Sequence, residues 1–361
     1  MPLVEALLEA GHELQLVMRP PAAELAADLF SEVAVLLLED DPYRAETRKR
    51  WLPFRREIKA IEEFQPDLYV ASAFAQNFFD EVFVRRNRGK VSTIGFGAEA
   101  GEDTGGTLPM VSGFTQIVRV PTDLPEFQKN LVMAETILGR TVTRTQPRQA
   151  TPASFDAARA LLHAHGFAPH RYTVVCAGGR PGTAMKEWGE NNWRTLLGEI
   201  SDAENFPFVF VGNPKEAASI EWLRAALPAT ATSINLATDP PPVGVSYALV
   251  SMAAAYLGRD SGVMHLAAAA DRPLLALFGG GHWPRFLPEA SRGIVLNRMT
   301  SCRGCCFECP FPEPYCVRDI PVASVADAWR RLSAINTLDI VELPEKAETA
   351  NLHRARPFAA H

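Results

Sequence analysis

The chain has 361 residues, with 36 basic and 42 acidic side chains and a formal net charge of −6 at pH 7. At ~150 residues per domain this length predicts two domains, and a hydrophobic content of 47% with 22% charged residues excludes a disordered chain. The acidic balance argues against a nucleic-acid binder, which concentrates positive charge on one face. No apolar run reaches the ~20 residues of a membrane span, and Glu5 and Glu9 interrupt what would be the apolar core of a signal peptide. We therefore expect a cytoplasmic protein.

The first part of the chain alternates helix and strand patterns. It begins with a helix over residues 2–10, in which Leu3, Ala6 and Leu7 recur at helical spacing. Further helices are predicted over 22–30, 44–64 and 121–139, and strands over 14–18, 33–38, 67–71 and 91–95. Strands that alternate with helices predict an α/β domain with a parallel sheet covered on both faces. A helical start is unusual for such a domain, in which a strand normally comes first.

A second alternating series follows residues 140–152, a polar stretch rich in Pro, Thr and Arg that is typical of an interdomain linker. Its strands are predicted over 172–176, 208–211, 255–257 and 274–278, and its helices over 157–165, 192–201, 216–227, 246–255 and 322–332. We predict an N-terminal domain with linker over 1–150, a second domain over 151–340 and a polar tail over 341–361. Two doubly wound units place a ligand at the carboxyl ends of their strands, in the cleft between them.

The first of three candidate ligand loops covers residues 177–183, directly after a predicted strand, and is followed by Lys186. Glycines such as Gly179 let backbone N–H groups approach an anion, and a following helix start adds positive potential. Thr183 can donate a hydroxyl, and Lys186 can neutralise phosphate charge. The alternative interpretation is an ordinary strand-to-helix turn.

The second candidate loop covers residues 258–268, where a strand ends and a helix of small residues begins. Ser261 and Gly262 offer free N–H groups at that helix start, which suits a pyrophosphate. Asp260 can bind sugar hydroxyls or cap the helix, and His265 can contact a ligand or serve as a structural hydrogen bonder. The candidate ligand-binding residues here are Asp260, Ser261, Gly262, Val263, Met264 and His265.

The third candidate loop covers residues 211–216, where a strand ends in a Gly/Asn/Pro turn and Glu216 opens a helix. Acidic residues are common at helix starts because the helix dipole favours them there. A glutamate in this place can also hold a ribose diol. Both interpretations of Glu216 remain open at the level of the sequence.

Five of the six cysteines lie close together, at Cys302, Cys305, Cys306, Cys309 and Cys316. Four sulfurs at such spacing suit tetrahedral zinc or iron. Either Cys305 or Cys306 can complete a set with Cys302, Cys309 and Cys316. A closed four-sulfur site leaves no position for chemistry, so the metal would be structural. The alternatives are disulfides, which a cytoplasmic setting disfavours, or unpaired thiols.

Together these segments resemble glycosyltransferase family 9, the bacterial ADP-heptose heptosyltransferases. The strongest resemblance is the run over residues 254–269, which contains Arg-Asp-Ser-Gly-Val-Met-His, followed by Pro-Leu-Leu-Ala-Leu-Phe-Gly over 273–279. Lys-Glu-Trp at 186–188, Asn-Trp at 192–193, the turn over 212–216 and Arg-Asp-Ile at 318–320 are also similar to family segments. The dense cysteines resemble the autotransporter heptosyltransferase branch, whose members carry a four-cysteine iron site.

The resemblance implies two Rossmann-like domains facing across a cleft, the B-type glycosyltransferase fold. It implies an inverting enzyme with an ADP-sugar donor, most simply ADP-heptose, with a lipopolysaccharide core sugar or a protein hydroxyl as acceptor, and with no catalytic metal. Such a protein would act in the cytoplasm, with at most peripheral contact with the inner membrane. Lys186 corresponds to a lysine at the phosphate or sugar, where its charge would stabilise the leaving diphosphate. Glu216 corresponds to the ribose-binding glutamate, and Asp260 and the five residues after it to the donor loop.

The beginning of the chain departs from the family pattern. Family members start with a strand and a Gly-Asp loop, and the helix that follows opens with proline, as the helix at Pro2 does here. The first strand of the N-terminal domain is therefore expected to be missing, together with the aspartate proposed as general base, so either the start of this chain is placed too late or the base lies elsewhere. Asp80 is the alternative base, and its other interpretation is a surface helix carboxylate.

Two further functions are compatible with this departure. A protein that lost the base could be an inactive nucleotide-sugar binder. A sugar-nucleotide epimerase shares the two-domain fold, but the second half of the chain is similar to transferases.

Overall fold

The structure is a computed structural model that describes residues 2–43, 54–75, 77–99, 113–143, 147–178, 184–204, 206–305, 309, 311–346 and 350. The chain forms two compact units. The first includes Met1–Gln146 and Pro284–Leu287, and the second comprises Pro147–Trp283 and Pro288–Phe358. The chain changes units within the segment that was predicted as a linker, whereas the return of Pro284–Leu287 to the first unit was not predicted.

Helices and strands alternate through the first unit. Its helices are α1 (Pro2–Glu9), α2 (Ala22–Leu29), α3 (Arg55–Phe64), α4 (Phe78–Arg86) and α5 (Glu126–Leu138). Its strands are β1 (Gln15–Met18), β2 (Ala34–Leu37), β3 (Leu68–Ala71), β4 (Ser92–Ala98) and β5 (Gln116–Val120). All pairings are parallel, but the strands form two separate sheets, one of β1 and β2 and one in the order β3-β4-β5.

Two apolar clusters hold the first unit together. In one, Leu3 and Leu7 of α1 pack with Phe96 of β4 and Met133 of α5. In the other, Phe54, just before α3, meets Phe79 of α4 edge to face, with ring centroids 5.4 Å apart. Burial of these side chains, at roughly 25 cal/mol per Å² of apolar surface, supplies the main stabilisation of the helices on the sheets.

The second unit is built on one seven-stranded parallel sheet in the order β12-β11-β10-β9-β6-β7-β8. The strands are β6 (Thr173–Cys176), β7 (Phe208–Phe210), β8 (Ser233–Asn235), β9 (Ala255–Arg259), β10 (Leu274–Phe278), β11 (Gly293–Arg298) and β12 (Leu338–Leu343). The helices are α6 (Pro152–Ala164), α7 (Glu190–Glu204), α8 (Ala217–Arg224), α9 (Val243–Ser251), α10 (Gly262–Ala269), α11 (Tyr315–Arg318) and α12 (Val322–Leu332).

The centre of this sheet is fully buried, as expected for parallel strands covered on both faces. Every residue of β6, β9, β10 and β11 is buried. Trp188 and Trp193 pack edge to face at 4.9 Å within the apolar cluster on one face. The indole of Trp188 also donates a hydrogen bond to the Ile320 carbonyl at 2.7 Å, which ties the beginning of α7 to the turn before α12.

The predicted α/β architecture with parallel sheets is confirmed, while several elements differ from their predicted bounds. The polar tail predicted over 341–361 is wrong at its start, because Val341 and Leu343 belong to β12 and pack against the core of the second unit. Strands β5, β8, β11 and β12 were not predicted. Of the helix predicted over 44–64, residues 44–53 lie outside the described residues, and α3 accounts for the rest.

Within the described part of the chain, no helix is long and apolar enough to cross a membrane.

Candidate functional site

Charged side chains meet at the carboxyl ends of β6, β7 and β9, three neighbouring strands of the second unit. Lys186 ends a short 3-10 helix (Ala184–Lys186) after β6, and Glu216 ends another (Pro214–Glu216) after β7. Arg259 is the last residue of β9, and Asp260 follows it. This end of a parallel sheet is where ligands bind in open α/β folds.

Lys186 and Asp260 form an ion pair, with Lys186 Nζ 2.6 Å from Asp260 Oδ2. The Asp260 side chain is 7% exposed, whereas that of Lys186 is 26% exposed. The backbone N–H of Asp260 donates to the Leu277 carbonyl at 3.0 Å, so β10 fixes the position of the aspartate. The sequence predicted both residues as ligand contacts, and the structure brings them together.

Ser261 caps the amino end of α10. Its hydroxyl accepts the backbone N–H of Met264 at 3.4 Å and lies 3.1 Å from the buried hydroxyl of Tyr256. Because Tyr256 donates its own proton to the Arg259 carbonyl at 2.8 Å, the serine is the donor to the tyrosine. Helix caps leave the first amides without an intrahelical acceptor, so those of Gly262 and Val263 are available to an anion.

The remaining predicted residues of this loop lie in the first turn of α10, where Val263 is half-buried, Met264 is buried and the His265 side chain is exposed. Met264 therefore packs in the hydrophobic core, whereas the exposed side chain of His265 is able to contact a bound ligand. The helix cap predicted as an alternative role for Asp260 belongs instead to Ser261.

Glu216 and Arg259 form a buried ion pair, with side chains that are 4% and 7% exposed. The other carboxylate oxygen of Glu216 accepts the backbone N–H of Asn213 at 2.8 Å, as part of a capping box. The Nε atom of Arg259 is buried and has no hydrogen-bond partner among the described residues. Both interpretations of Glu216 survive here, because a carboxylate oxygen that accepts one hydrogen bond keeps a second lone pair.

Glycines make room for this buried pair. A Cβ atom on Gly178, just after β6, would lie 2.8 Å from the Cβ of Glu216, and one on Gly212, after β7, would lie 2.8 Å from Glu216 Oε2. Real Cβ contacts are longer, so side chains at these two positions would displace the glutamate. The glycines at these strand ends thus serve the packing of Glu216 in the structure.

Arg259 was missed by the sequence analysis. The signal was present, since an arginine ends the otherwise apolar run Ala-Tyr-Leu-Gly-Arg of a buried strand. A buried charge needs a partner, but the sequence does not indicate that the partner lies 43 residues away. Two other predicted donor residues, Gly179 and Thr183, lie outside the described residues.

Asp80 belongs to the first unit, where it is buried in the first turn of α4. Its Oδ1 accepts the hydroxyl of Tyr69 at 2.6 Å, and its Oδ2 accepts the side-chain amide of Asn77 at 2.8 Å. Burial raises the pKa of Asp80 to about 6, although these two hydrogen bonds favour its ionised form. The alternative interpretation of Asp80 as a surface helix carboxylate is wrong, because the residue is buried and its carboxylate accepts hydrogen bonds from Tyr69 and Asn77.

The cysteine segment lies near α11 in the second unit. Burial raises the pKa of the Cys316 thiol to about 11, and Cys302, Cys305 and Cys309 lie near enough to oppose its ionisation further. These four cysteines are not in disulfides. Among the described residues, no group of three or more His, Cys, Asp or Glu side chains is arranged to hold a metal ion, and Cys306 lies outside them. The metal site thus stays a prediction.

Curated relatives resemble a part of this chain. Lipooligosaccharide heptosyltransferase 2 of Haemophilus influenzae is 30% identical over 134 residues, which cover 34% of this chain and 35% of the relative. Lipopolysaccharide heptosyltransferase 2 of Escherichia coli is 33% identical over 126 residues, with a coverage of 34% and 35%. The match therefore spans about a third of the length of these relatives.

Solved structures resemble the chain over nearly its whole length. The glycosyl transferase family 9 structure from Veillonella parvula covers 92% of this chain and 92% of its own, with a TM-score of 0.68 at 14% identity. E. coli heptosyltransferase WaaC with ADP-2-deoxy-2-fluoro heptose covers 91% and 94%, with a TM-score of 0.61 at 18% identity. Sequence identities this low support a similarity of fold.

The family itself follows from the sequence match. The model of glycosyltransferase family 9 (heptosyltransferase) matches residues 75–311, which include the candidate ligand loops and most of the cysteine segment. The resemblance expected from the sequence is confirmed at this level, while the autotransporter branch stays a prediction. This chain belongs to glycosyltransferase family 9.

Proposed function

We propose that this chain transfers heptose from ADP-heptose to a sugar of the lipopolysaccharide core, with inversion at the anomeric carbon. The observation that carries the proposal is the ion pair of Lys186 with Asp260 beside the amino end of α10. It combines a cation, free helix amides and a carboxylate, which suit a diphosphate and the hydroxyls of a sugar. The names of the relatives, which are heptosyltransferases of lipopolysaccharide and lipooligosaccharide, support heptose and this acceptor.

In the proposed reaction an acceptor hydroxyl attacks the anomeric carbon of heptose. The new glycosidic bond forms as the bond to the β-phosphate oxygen breaks, and ADP leaves with the bonding electrons. Negative charge therefore grows on the diphosphate. Lys186 and the amides of Gly262 and Val263 are the groups on this chain that can stabilise it. Asp260 would orient Lys186 and can accept hydrogen bonds from the sugar.

The proton of the acceptor hydroxyl needs a base, and we assign this role to Asp80 as a hypothesis. A carboxylate with a pKa of about 6 is ionised at neutral pH and can still accept a proton. Its two hydrogen bonds leave one lone pair on each oxygen for the acceptor. Tyr69 and Asn77 would hold the carboxylate in place.

A structural metal on the cysteine segment is part of the same proposal. Cys302, Cys305, Cys309 and Cys316 supply four thiols, with Cys306 as an alternative ligand, and such a set suits zinc or iron. Bound there, the metal would order a loop that contains several prolines and would take no part in the transfer. We propose that the chain acts at the inner face of the inner membrane through peripheral contact with its acceptor.

Transfer can be measured with the purified full chain, ADP-heptose and lipopolysaccharide from a strain that lacks core heptose. Mass spectrometry should detect an added heptose, and a coupled assay should detect ADP in equal amount. Lys186→Ala should lower kcat, whereas Lys59→Ala, on the 74% exposed lysine of α3, should not. If calorimetry detects ADP-heptose binding and no transfer occurs to this acceptor or to a protein acceptor, the chain is a binding protein.

A further inference from the structure

Trp283 lies shortly after β10 in the second unit, and the reaction proposed above does not use it. Strand β10 ends at Phe278, and the backbone N–H of Trp283 donates to the Gly280 carbonyl at 3.5 Å, so a short turn separates the two aromatic residues. Their rings pack edge to face, with centroids 5.6 Å apart. This contact holds the indole of Trp283 at the carboxyl end of β10.

The strand register places Trp283 beside the second candidate ligand loop. In the parallel pair of β9 and β10, Arg259 is the partner of Leu277. Asp260 and Phe278 follow this pair, and the hydrogen bond from the Asp260 N–H to the Leu277 carbonyl keeps them side by side. Neighbouring strands are ~4.8 Å apart, and residues in register direct their side chains to the same face of a sheet. Trp283, which packs on Phe278, is therefore a neighbour of Asp260.

The indole of Trp283 has a hydrogen-bond donor that the protein does not use. The side chain is half-buried, and its N–H group has no partner among the described residues. The fully buried indole of Trp188, by contrast, donates to the Ile320 carbonyl at 2.7 Å. Tryptophan combines an apolar body with one polar group, which usually finds a partner when the ring is buried. A sugar matches this combination, because it presents C–H groups on one face of its ring and hydroxyl oxygens at the edge.

The order of the strands indicates which part of the donor reaches Trp283. The four strands concerned lie in the order β10-β9-β6-β7. Helix α10, whose amino end suits the diphosphate, follows β9, and Glu216 follows β7. With the ribose at Glu216, the nucleoside extends from the diphosphate toward β7. The sugar is bound to the other phosphate and therefore extends toward β10, where Trp283 lies.

We propose that Trp283 is a specificity-determining residue that binds the sugar of the ADP-sugar donor. Its ring would pack against C–H groups of the sugar, and its indole N–H would donate to a sugar hydroxyl. Binding sites commonly combine an apolar wall with a few polar groups that fix the orientation of the ligand. The inference rests on the donor site of the proposed function, and it adds a contact that distinguishes a nucleotide sugar from ADP.

Two variants of the full chain separate the contributions of the ring and of the N–H group. Trp283→Phe keeps an aromatic ring and loses the donor, whereas Trp283→Leu loses both. In calorimetry we expect Trp283→Phe to bind ADP-heptose about fivefold more weakly than wild type, and Trp283→Leu about twentyfold more weakly. The affinity for ADP should stay within about twofold in both variants, because ADP has no sugar beyond the diphosphate. Trp222→Leu, on a 41% exposed tryptophan of α8, is the matched control and should change neither affinity.

Tryptophan fluorescence gives a second readout that a purely structural role would not produce. The chain contains six tryptophans, so the difference between wild type and Trp283→Phe isolates the signal of Trp283. We expect ADP-heptose to change the emission of the wild type more than ADP does, and Trp283→Phe to lose most of this additional change. Circular dichroism should report the variants as folded. If Trp283→Leu does not fold, the calorimetry and fluorescence of Trp283→Phe decide the test.

Two results would overturn this inference alone. One is an equal loss of affinity for ADP and ADP-heptose in the folded Trp283 variants, since Trp283 would then support the nucleotide or the fold. The other is an unchanged affinity for ADP-heptose in both variants. Failure of the proposed transfer gives a different result: the wild type binds ADP-heptose and transfers nothing, while the sugar-dependent loss in the Trp283 variants remains and supports the inference. A wild type that binds neither ligand would overturn both.

Discussion

Lys186 Nζ lies 2.6 Å from Asp260 Oδ2, and the lysine side chain is 26% exposed whereas the aspartate side chain is 7% exposed. The two partners are therefore not equivalent. Removal of Lys186 would leave a nearly buried carboxylate without its cation. Removal of Asp260 would leave an ammonium group that water can reach, and an uncompensated charge costs more where less water solvates it.

The first prediction is an asymmetry in stability within this pair. Lys186→Ala should lower the free energy of unfolding by ~2 kcal/mol, and Asp260→Ala by less than ~1 kcal/mol. Urea unfolding of both single variants and of the double variant measures the difference. ADP affinity should fall in both, because each supplies part of the proposed donor site. Equal losses of stability would contradict the burial difference between the two side chains.

The second prediction concerns the buried pair of Glu216 and Arg259. Glu216→Gln leaves the guanidinium without a counter-charge and should cost ~3 kcal/mol of unfolding free energy. The surface pair of Lys59 and Glu63, which are 74% and 66% exposed, provides the control, and Glu63→Gln should change stability by less than ~0.5 kcal/mol.

A ribose-binding role for Glu216 adds a second readout. Glu216→Gln should then weaken ADP binding by more than its effect on stability explains, measured by calorimetry at a temperature where the variant is folded. An unchanged affinity for ADP would restrict Glu216 to its pair with Arg259 and its capping box.

The third prediction concerns Gly258, the next-to-last residue of β9. A Cβ atom there would collide with the hydroxyl of Tyr256 and lie 2.9 Å from the Cys176 carbonyl oxygen. Gly258→Ala should therefore cost ~1–3 kcal/mol, because the core must shift to accept the methyl group. Gly198 of α7 has no atom within 4 Å of an added Cβ, so Gly198→Ala should stabilise the protein by ~0.5–1 kcal/mol. Thermal unfolding of both variants should give opposite signs.

The sequence predicts the features of this protein that depend on neighbours along the chain. Alternating helix and strand patterns indicate parallel sheets, and the small-residue run after Asp260 indicates a helix amino end, which Ser261 caps. The pairing of Glu216 with Arg259 depends on three strands that meet at one sheet end, so local patterns do not contain it. Strand β8 was missed because only one of its three residues is apolar, whereas β7, which is equally short, is the apolar run Phe-Val-Phe.

Side-chain patterns alone do not predict the division of the first unit into two sheets. Side-chain alternation tells which face of a strand is buried, but it does not tell which edge is paired. The pattern over β1 and β3 is that of ordinary parallel strands, although each has a partner on one side only among the described residues.

The fourth prediction is ~1 zinc or iron ion per chain on the cysteine segment. Elemental analysis of protein purified without chelator should detect it, and Cys309→Ser with Cys316→Ser should remove it and lower Tm. Cys176→Ser provides the control, because Cys176 lies at the end of β6, apart from this segment, and its replacement should leave the metal content unchanged. A metal-free and fully active protein would refute the prediction.

The fifth prediction uses the titration of Asp80. Burial raises its pKa from 3.8 to about 6 in the folded protein, so the folded state holds this proton more tightly than the unfolded state does. Protonated Asp80 therefore stabilises the folded state relative to the unfolded state. This stabilisation is complete below pH 3.8 and is lost as the pH rises through about 6. Asp80→Asn does not titrate, and it keeps an acceptor oxygen for Tyr69.

The free energy of unfolding of the wild type, minus that of Asp80→Asn, should therefore fall by up to ~3 kcal/mol between pH 4 and pH 7. Urea unfolding at four pH values measures this difference. A difference that does not change with pH would mean that the hydrogen bonds from Tyr69 and Asn77 outweigh burial and keep Asp80 ionised throughout. If Asp80 is also the base of the transfer, kcat should rise with pH through about 6 in the wild type and stay low in Asp80→Asn, while the affinity for ADP-heptose stays unchanged.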